Sequence, residues 1–221
     1  MHVLITGANG GLGEAVTQAF LDRGDRVTGI ALSWNGKSPP ILALEADMTS
    51  AGACARAVEQ ALATGPIEAL IHVIGAFAGG TPVAGTDDET WDRMMNLNLR
   101  SAFLAFRAVL PGMLAAGRGR IVAIGSRTGM EPAAGLSAYG VSKAGLVALV
   151  RTLALELKGT GVTANVVMPS IIDTPANRRA IPGAKFSQWV KPESIANVLV
   201  WLASEPSADI NGAVIPIYGN A

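Results

Sequence analysis

Short runs rich in Val, Ile and Leu, none with polar alternation, recur between longer stretches of helical periodicity. Strands that are apolar throughout must be covered on both faces, which is the condition of a parallel sheet flanked by helices. The strand-like runs are His2–Thr6, Arg26–Leu32, Ile41–Glu45, Glu68–Ile74, Arg120–Ser126, Gly161–Met168 and Ala213–Tyr218. Helical patterns fill Leu12–Arg23, Ser50–Ala63, Thr86–Ala116 (for the most part), Ser137–Lys158 and Pro192–Ser204. Gly24 fits the stop of the first helix and Ser50 the cap of the second. This β/α alternation predicts an α/β fold: one doubly wound parallel sheet with helices on both faces. At 221 residues, the span 1–221 suits a single domain. One interval is unusual. Only Ser33–Pro40 separates the second and third strands, where a parallel crossover normally carries a helix. Pro39 and Pro40 argue against one, so a bare loop is expected.

Seventeen basic residues balance seventeen acidic ones, and no basic stripe or acidic tail is present. That argues against nucleic acid or a membrane surface as the main partner. Cys54 is the only cysteine, so no internal disulfide and no multi-cysteine metal site is expected, and a reducing, cytoplasmic compartment is the simplest reading. The strand pattern beginning at His2 leaves no room for a signal peptide, and no apolar run approaches the length of about 18 residues expected of a membrane span.

Two patterns carry chemistry. Thr6-Gly7-Ala8-Asn9-Gly10-Gly11-Leu12-Gly13 follows a strand and opens a helix. Glycines at such a turn let backbone approach a pyrophosphate at a helix N-terminus. The bland alternative is a glycine-rich turn without a ligand. Tyr139-Gly140-Val141-Ser142-Lys143 places a phenol and an ammonium one helical turn apart. A nearby ammonium favours phenolate, which would lower the tyrosine below its ordinary value of about 10 and make it an acid/base. Alone, that pair would read as an ordinary surface contact.

Together, Thr-Gly-x-x-x-Gly-x-Gly and Tyr-x-x-x-Lys resemble the short-chain dehydrogenase/reductase family, whose domain is a Rossmann fold. The resemblance runs from Val3 to Gly219. It implies an NAD(P)-dependent oxidoreductase with Tyr139 and Lys143 at its centre, Ser126 orienting the substrate carbonyl and Asn98 holding a proton-relay water. It also implies cofactor contacts from Gly7, Asn9, Gly11, Leu12, Gly13, Asp47, Gly75, Tyr139, Lys143, Pro169, Ile172 and Thr174. Individually, Ser126 and Asp47 could be plain caps and Asn98 a helix-interior polar residue. Where the family carries Asn-Asn-Ala-Gly, this chain has His72-Val73-Ile74-Gly75. The preferred reading of His72 is a packed strand residue bonded to neighbouring backbone.

The second strand has no acid near its end, in Ile30-Ala31-Leu32-Ser33-Trp34-Asn35-Gly36, as in bacterial ketoacyl reductases, which use NADPH. Their usual glycine-loop arginine is Gly10 here. Ser33, Asn35 and Lys37 are candidates to meet a 2′-phosphate, so NADP is favoured over NAD. The stretch Asp173–Trp189 and Gly75-Ala76-Phe77-Ala78-Gly79-Gly80 are similar to the substrate loops of quinonoid dihydropteridine reductases. Those enzymes carry an aromatic at the Phe77 position, but generally lack the serine at Ser126 and carry an acid where this chain has Ala31. Expected activity is therefore hydride transfer with a small carbonyl or alcohol, then dihydropteridine reduction. A non-catalytic nucleotide-binding protein on the same fold is the rival from another class. Phe77, Phe186 and Trp189 offer flat faces for a planar substrate, or else pin the loop to the domain. A homodimer or homotetramer is expected, with Trp91, Met94, Phe103 and Phe106 as interface material unless they are core.

Overall fold

The computed structural model describes residues 1–220. Seven strands form one sheet in the order β3-β2-β1-β4-β5-β6-β7. They are β1 (His2–Thr6), β2 (Arg26–Ala31), β3 (Leu42–Glu45), β4 (Ala69–His72), β5 (Gly119–Ile124), β6 (Val162–Pro169) and β7 (Val214–Ile217). Every neighbouring pair is parallel. The principal helices are α1 (Gly11–Asp22), α2 (Ala51–Leu62), α3 (Asp88–Met95), α4 (Ser101–Ala116), α5 (Ser137–Glu156), α6 (Pro175–Ala180) and α7 (Pro192–Leu202).

The absence of alternation in β1 has a simple cause. Leu4 points into the layer holding Val58, Leu104 and Leu146, whereas Val3 and Ile5 join the layer holding Val16, Phe20 and Leu199. Both faces are covered, by α2, α4 and α5 on one side and by α1 and α7 on the other. The edges depart from this expectation. Leu42, Ala43 and Glu45 of β3 are exposed, and β7 is half-buried except at the exposed Pro216.

The β2–β3 crossover is a helix-free loop, and Trp34 takes over the burial a helix would have supplied. Its indole packs with Val27 and Ala31, donates from Nε1 to the Leu44 carbonyl (3.1 Å), and its amide donates to Glu45 Oε1 (2.7 Å).

The long helical pattern beginning at Thr86 is three pieces. Asp87 caps α3 by accepting from the Thr90 amide (2.6 Å), and a π-turn over Asn96–Arg100 then joins α3 to α4. Two helical stretches, Asp88–Ala116 and Ser137–Glu156, are in fact long and apolar enough to cross a membrane by length and composition, contrary to the expectation from the sequence. Their apolarity has a use in the core, where Leu104, Phe106, Val109, Leu146 and Val150 pack beside the sheet. The same packing revises the interface set: Met94 and Phe106 are core, while Trp91 and Phe103 are exposed.

Candidate active site

Strand order reverses between β1 and β4, and α/β sheets bind ligands at the crevice beyond the strand ends where this happens. A cleft of ≈ 350 Å³ lies there. Its walls include Gly7, Asn9, Gly11, Leu12 and Gly13 after β1, Asp47 after β3 and Gly75 after β4. Gly13 is required by close approach: a Cβ there would sit 2.1 Å from the Gly7 carbonyl oxygen. Asn9 Nδ2 donates to the Ser33 carbonyl (2.5 Å), tying the glycine loop to the end of β2. Asp47 Oδ1 accepts from the Thr49 amide (2.9 Å) and hydroxyl (2.7 Å), so its bland role as a turn cap and its place on the cleft wall coexist.

Beyond Gly75 the catalytic candidates converge. A Cβ on Gly75 would lie 3.1 Å from both Asn98 Oδ1 and Lys143 Nζ, so the glycine leaves an open cradle faced by the ammonium. Lys143 Nζ donates to the Ile124 carbonyl at the end of β5 (2.8 Å), and burial pushes its pKa down to about 8. Asn98 is buried in the π-turn; π-turns frequently occur at functional sites. Its Oδ1 accepts from the Ala76 amide (2.8 Å), and Nδ2 donates to the Ala76 carbonyl (3.1 Å) and to Ser142 Oγ (2.9 Å). Ser142 in turn donates to the Tyr139 carbonyl (2.7 Å). Ser142 lies inside the Tyr139–Lys143 stretch but was not assigned a role from sequence. Its position three residues after Tyr139, on one helix face, was the available signal.

Tyr139 corrects one expectation. Burial raises its pKa, opposed by a hydrogen bond with the Ser126 side chain, and Lys143 is not among the causes. Lys143 is itself pushed down by desolvation to about 8, so it remains an ammonium near neutral pH and loses its charge just above it. Phe77 stands edge-on to the Tyr139 ring, with centroids 5.0 Å apart, and is 64% exposed.

Other expectations need revision. Ser33 is not on the cleft wall; Leu32 is, and Ser33 instead accepts from the Asn35 amide (3.2 Å) and from Asn9. Lys37 ion-pairs with Glu14. His72 is a packed strand residue, but its partners are the hydroxyls of Thr6 and Ser101 instead of backbone. Thr174 does close on the glycine loop, its Cβ and Cγ2 lying 3.1 Å from where Gly11 would bear a Cβ, and it caps α6 by accepting from the Asn177 amide (3.2 Å). Pro169 ends β6, and the Ile172 carbonyl accepts from Asn177 Nδ2 (2.8 Å); neither residue is on the wall of the ≈ 350 Å³ cleft. The short helix α6 within this segment was not foreseen.

The model of the family described as "short chain dehydrogenase" matches residues 1–184. The chain belongs to that family. It is similar to 2-(R)-hydroxypropyl-CoM dehydrogenase of Xanthobacter autotrophicus, with 31% identity over 98% of this chain and 96% of the relative. It is 34% identical to the 3-oxoacyl-acyl-carrier-protein reductase MabA of Mycobacterium tuberculosis, over 98% of this chain and 91% of that one. Among solved structures, a short-chain dehydrogenase/reductase family oxidoreductase from Burkholderia thailandensis superposes with a TM-score of 0.87 at 32% identity, covering 99% of this chain and 91% of that one. This short-chain dehydrogenase is therefore an NAD(P)-dependent oxidoreductase, and the residues present fit a nicotinamide cofactor: a glycine-walled cleft leads to the Gly75 cradle under Lys143.

Lys143 gives this dehydrogenase a testable pH signature. Between about 8 and the ordinary lysine value of 10.5, the unfolded chain holds the proton and the folded ligand-free chain does not. Stability therefore rises with pH across that window. Lys143→Met should abolish the rise; urea midpoints measured from pH 8 to 10, with parallel slopes for the two proteins, would refute the assignment.

Proposed function

We propose that this chain, acting as one catalytic domain over 1–221, reduces a compact carbonyl compound with NADPH. The observation that carries the reading is that Asn98 and Lys143 face the cradle at Gly75, while Tyr139 is hydrogen-bonded to Ser126 and joined through Ser142 to Asn98. Bound nicotinamide would supply the hydride. Tyr139 donates the proton to the carbonyl oxygen, and its raised pKa keeps that proton in place at neutral pH. Ser126 orients the same oxygen. Lys143, whose Nζ faces Gly75, would hold the nicotinamide ribose. Both N–H groups of the Asn98 amide are committed to Ala76 and Ser142, so its side chain can meet a relay water only as an acceptor, through Oδ1.

The compact pocket follows from the lid, whose base is stitched shut. The Asp173 amide donates to the Val190 carbonyl (2.8 Å), the Val190 amide to the Ile171 carbonyl (2.9 Å), and Asn220 donates to Gln188 (3.2 Å). Trp189 is 7% exposed and edge-on to Phe186 at 4.8 Å, so it pins the lid, leaving Phe77 as the open aromatic face beside Tyr139. Phe77 favours a second reading, dihydropteridine reduction. NADPH and NADH oxidation with small ketones, diketones, quinones and quinonoid dihydropterin separates the two. Turnover of long thioester-linked substrates alone would overturn the compact pocket, and binding without any turnover would support a non-catalytic role.

The preference for NADPH rests on Ala31, which is buried at the end of β2 where an acid would repel a 2′-phosphate; Glu45, its partner on β3, accepts from the Trp34 amide. Ala31→Asp should shift kcat/KM toward NADH by about tenfold or more, the equivalent of about 1.4 kcal/mol. Wild-type protein that already prefers NADH would refute this. We also propose a cytoplasmic homo-oligomer, with the exposed Trp91 and Phe103 as interface material. Light scattering that shows monomer mass alone at all concentrations would exclude the oligomer.

A further inference from the structure

We infer that His72 is a positioning residue that locks the π-turn bearing Asn98 to the glycine loop, and that it does so as the neutral Nε2–H tautomer. The inference rests on the reading of Asn98 as part of the site.

His72 ends β4 and is fully buried between β1 and the start of α4. Nδ1 lies 2.9 Å from Thr6 Oγ1, where the glycine loop leaves β1. Nε2 lies 3.2 Å from Ser101 Oγ, the first residue after the π-turn. The tautomer follows from counting protons. A serine hydroxyl has one, and that of Ser101 is given to the Leu97 carbonyl (2.7 Å). Toward the ring, Ser101 can only accept, so Nε2 carries the hydrogen. A neutral ring then has Nδ1 as acceptor, and Thr6 must donate to it. Burial and the nearby Lys143 ammonium hold the ring neutral, with a pKa pushed down to about 3. Phe106, edge-on at 6.0 Å, fixes its tilt.

The donors thus run one way, from Thr6 through His72 and Ser101 to the carbonyl of Leu97. That carbonyl belongs to the π-turn. The Ser101 amide reaches back to Asn96, and the Ser101 hydroxyl occupies Leu97. Leu97 lines the nucleotide cleft, and Asn98 follows it. The ring therefore sets where the turn sits relative to the glycine loop. An asparagine at this position places a polar atom where Nδ1 is, but nothing where Nε2 is. A glutamine does the reverse.

The first arm of the test needs no substrate. In ¹⁵N spectra of the ligand-free protein, assigned by comparison with His72→Gln, the ring should show Nε2 protonated and Nδ1 bare, with no titration from about pH 5 to 8. A ring protonated at Nδ1, or one titrating near its ordinary 6.5, overturns the inference whether or not any carbonyl is turned over. The second arm uses NADPH with the best carbonyl of the panel above. His72→Asn, which drops the Ser101 contact, and His72→Gln, which drops the Thr6 contact, should each lose about tenfold in kcat with KM for NADPH little changed, since either one opens the bridge. A kcat within about threefold of wild type in either variant, or losses that appear only in KM, would overturn it. If the variants fail to fold, the wild-type spectrum still decides.

Discussion

Tyr139→Phe is expected to lower kcat for carbonyl reduction by at least about 100-fold, the usual minimum for removal of a general acid. Reduction leaves a developing alkoxide, and the Tyr139 hydroxyl is the acidic proton within reach, its release eased by the hydrogen bond with Ser126. Phenylalanine keeps the ring and its edge-on contact with Phe77, so packing and lid position are preserved. Dinucleotide affinity should stay within about threefold, since Lys143 and the glycine loop are untouched, which isolates the loss to the chemical step. Near-normal turnover in the purified variant, measured at saturating cofactor and substrate, would remove Tyr139 from the mechanism.

Gly13→Ala should act on binding instead. The added methyl would meet the Gly7 carbonyl oxygen at 2.1 Å and the Ala8 backbone at 2.8 and 2.9 Å. These are backbone atoms of the loop that faces the pyrophosphate, so the loop must retreat by about 1 Å or α1 must lift from the sheet. Hydrogen bonds to charged groups contribute about 1.5–3 kcal/mol each, so losing two weakens NADPH binding by at least about 100-fold. Overpacking of this kind also costs about 1–3 kcal/mol of stability, visible in the urea midpoint. A variant that binds NADPH and unfolds like the wild type would show that the loop is not the pyrophosphate site.

The fold was legible because its signals are local and repeated. A run such as His2–Thr6, apolar at every position, fits only a strand covered on both sides, and the bare β2–β3 crossover could be read from its length and two prolines. Edge exposure was not legible, because Leu42-Ala43-Leu44 has the composition of a central strand and only its place in the sheet exposes it. The candidate catalytic residues were legible through spacing: Tyr139 and Lys143 lie on one helix face, with Ser126 just past a strand. Electrostatics was not. Four residues of separation says that two groups are close, but the sign of the Tyr139 shift depends on burial that neither residue encodes. The partners of His72 were likewise hidden, because Thr6 and Ser101 are 66 and 29 residues away and meet the ring only after β1 and α4 are in place. The ligand-free partners of Ser33 and Lys37 were hidden in the same way: the loop pairs them with Asn35 and Glu14.

The turn at Asn96–Arg100 amounts to one surplus residue wound into an otherwise regular spiral. Each α-helical residue turns the chain by about 100°. Removing one residue there would restore the regular winding and rotate α3 by that angle against α4, which Leu104, Phe106 and Val109 anchor in the core. Met94, now fully buried, would be turned out of its place, and the amide of Asn98 would swing away from Ala76. A deletion that alters no side chain in contact with cofactor or substrate would thus dismantle the site, because the length of the chain at this point sets the phase between two helices.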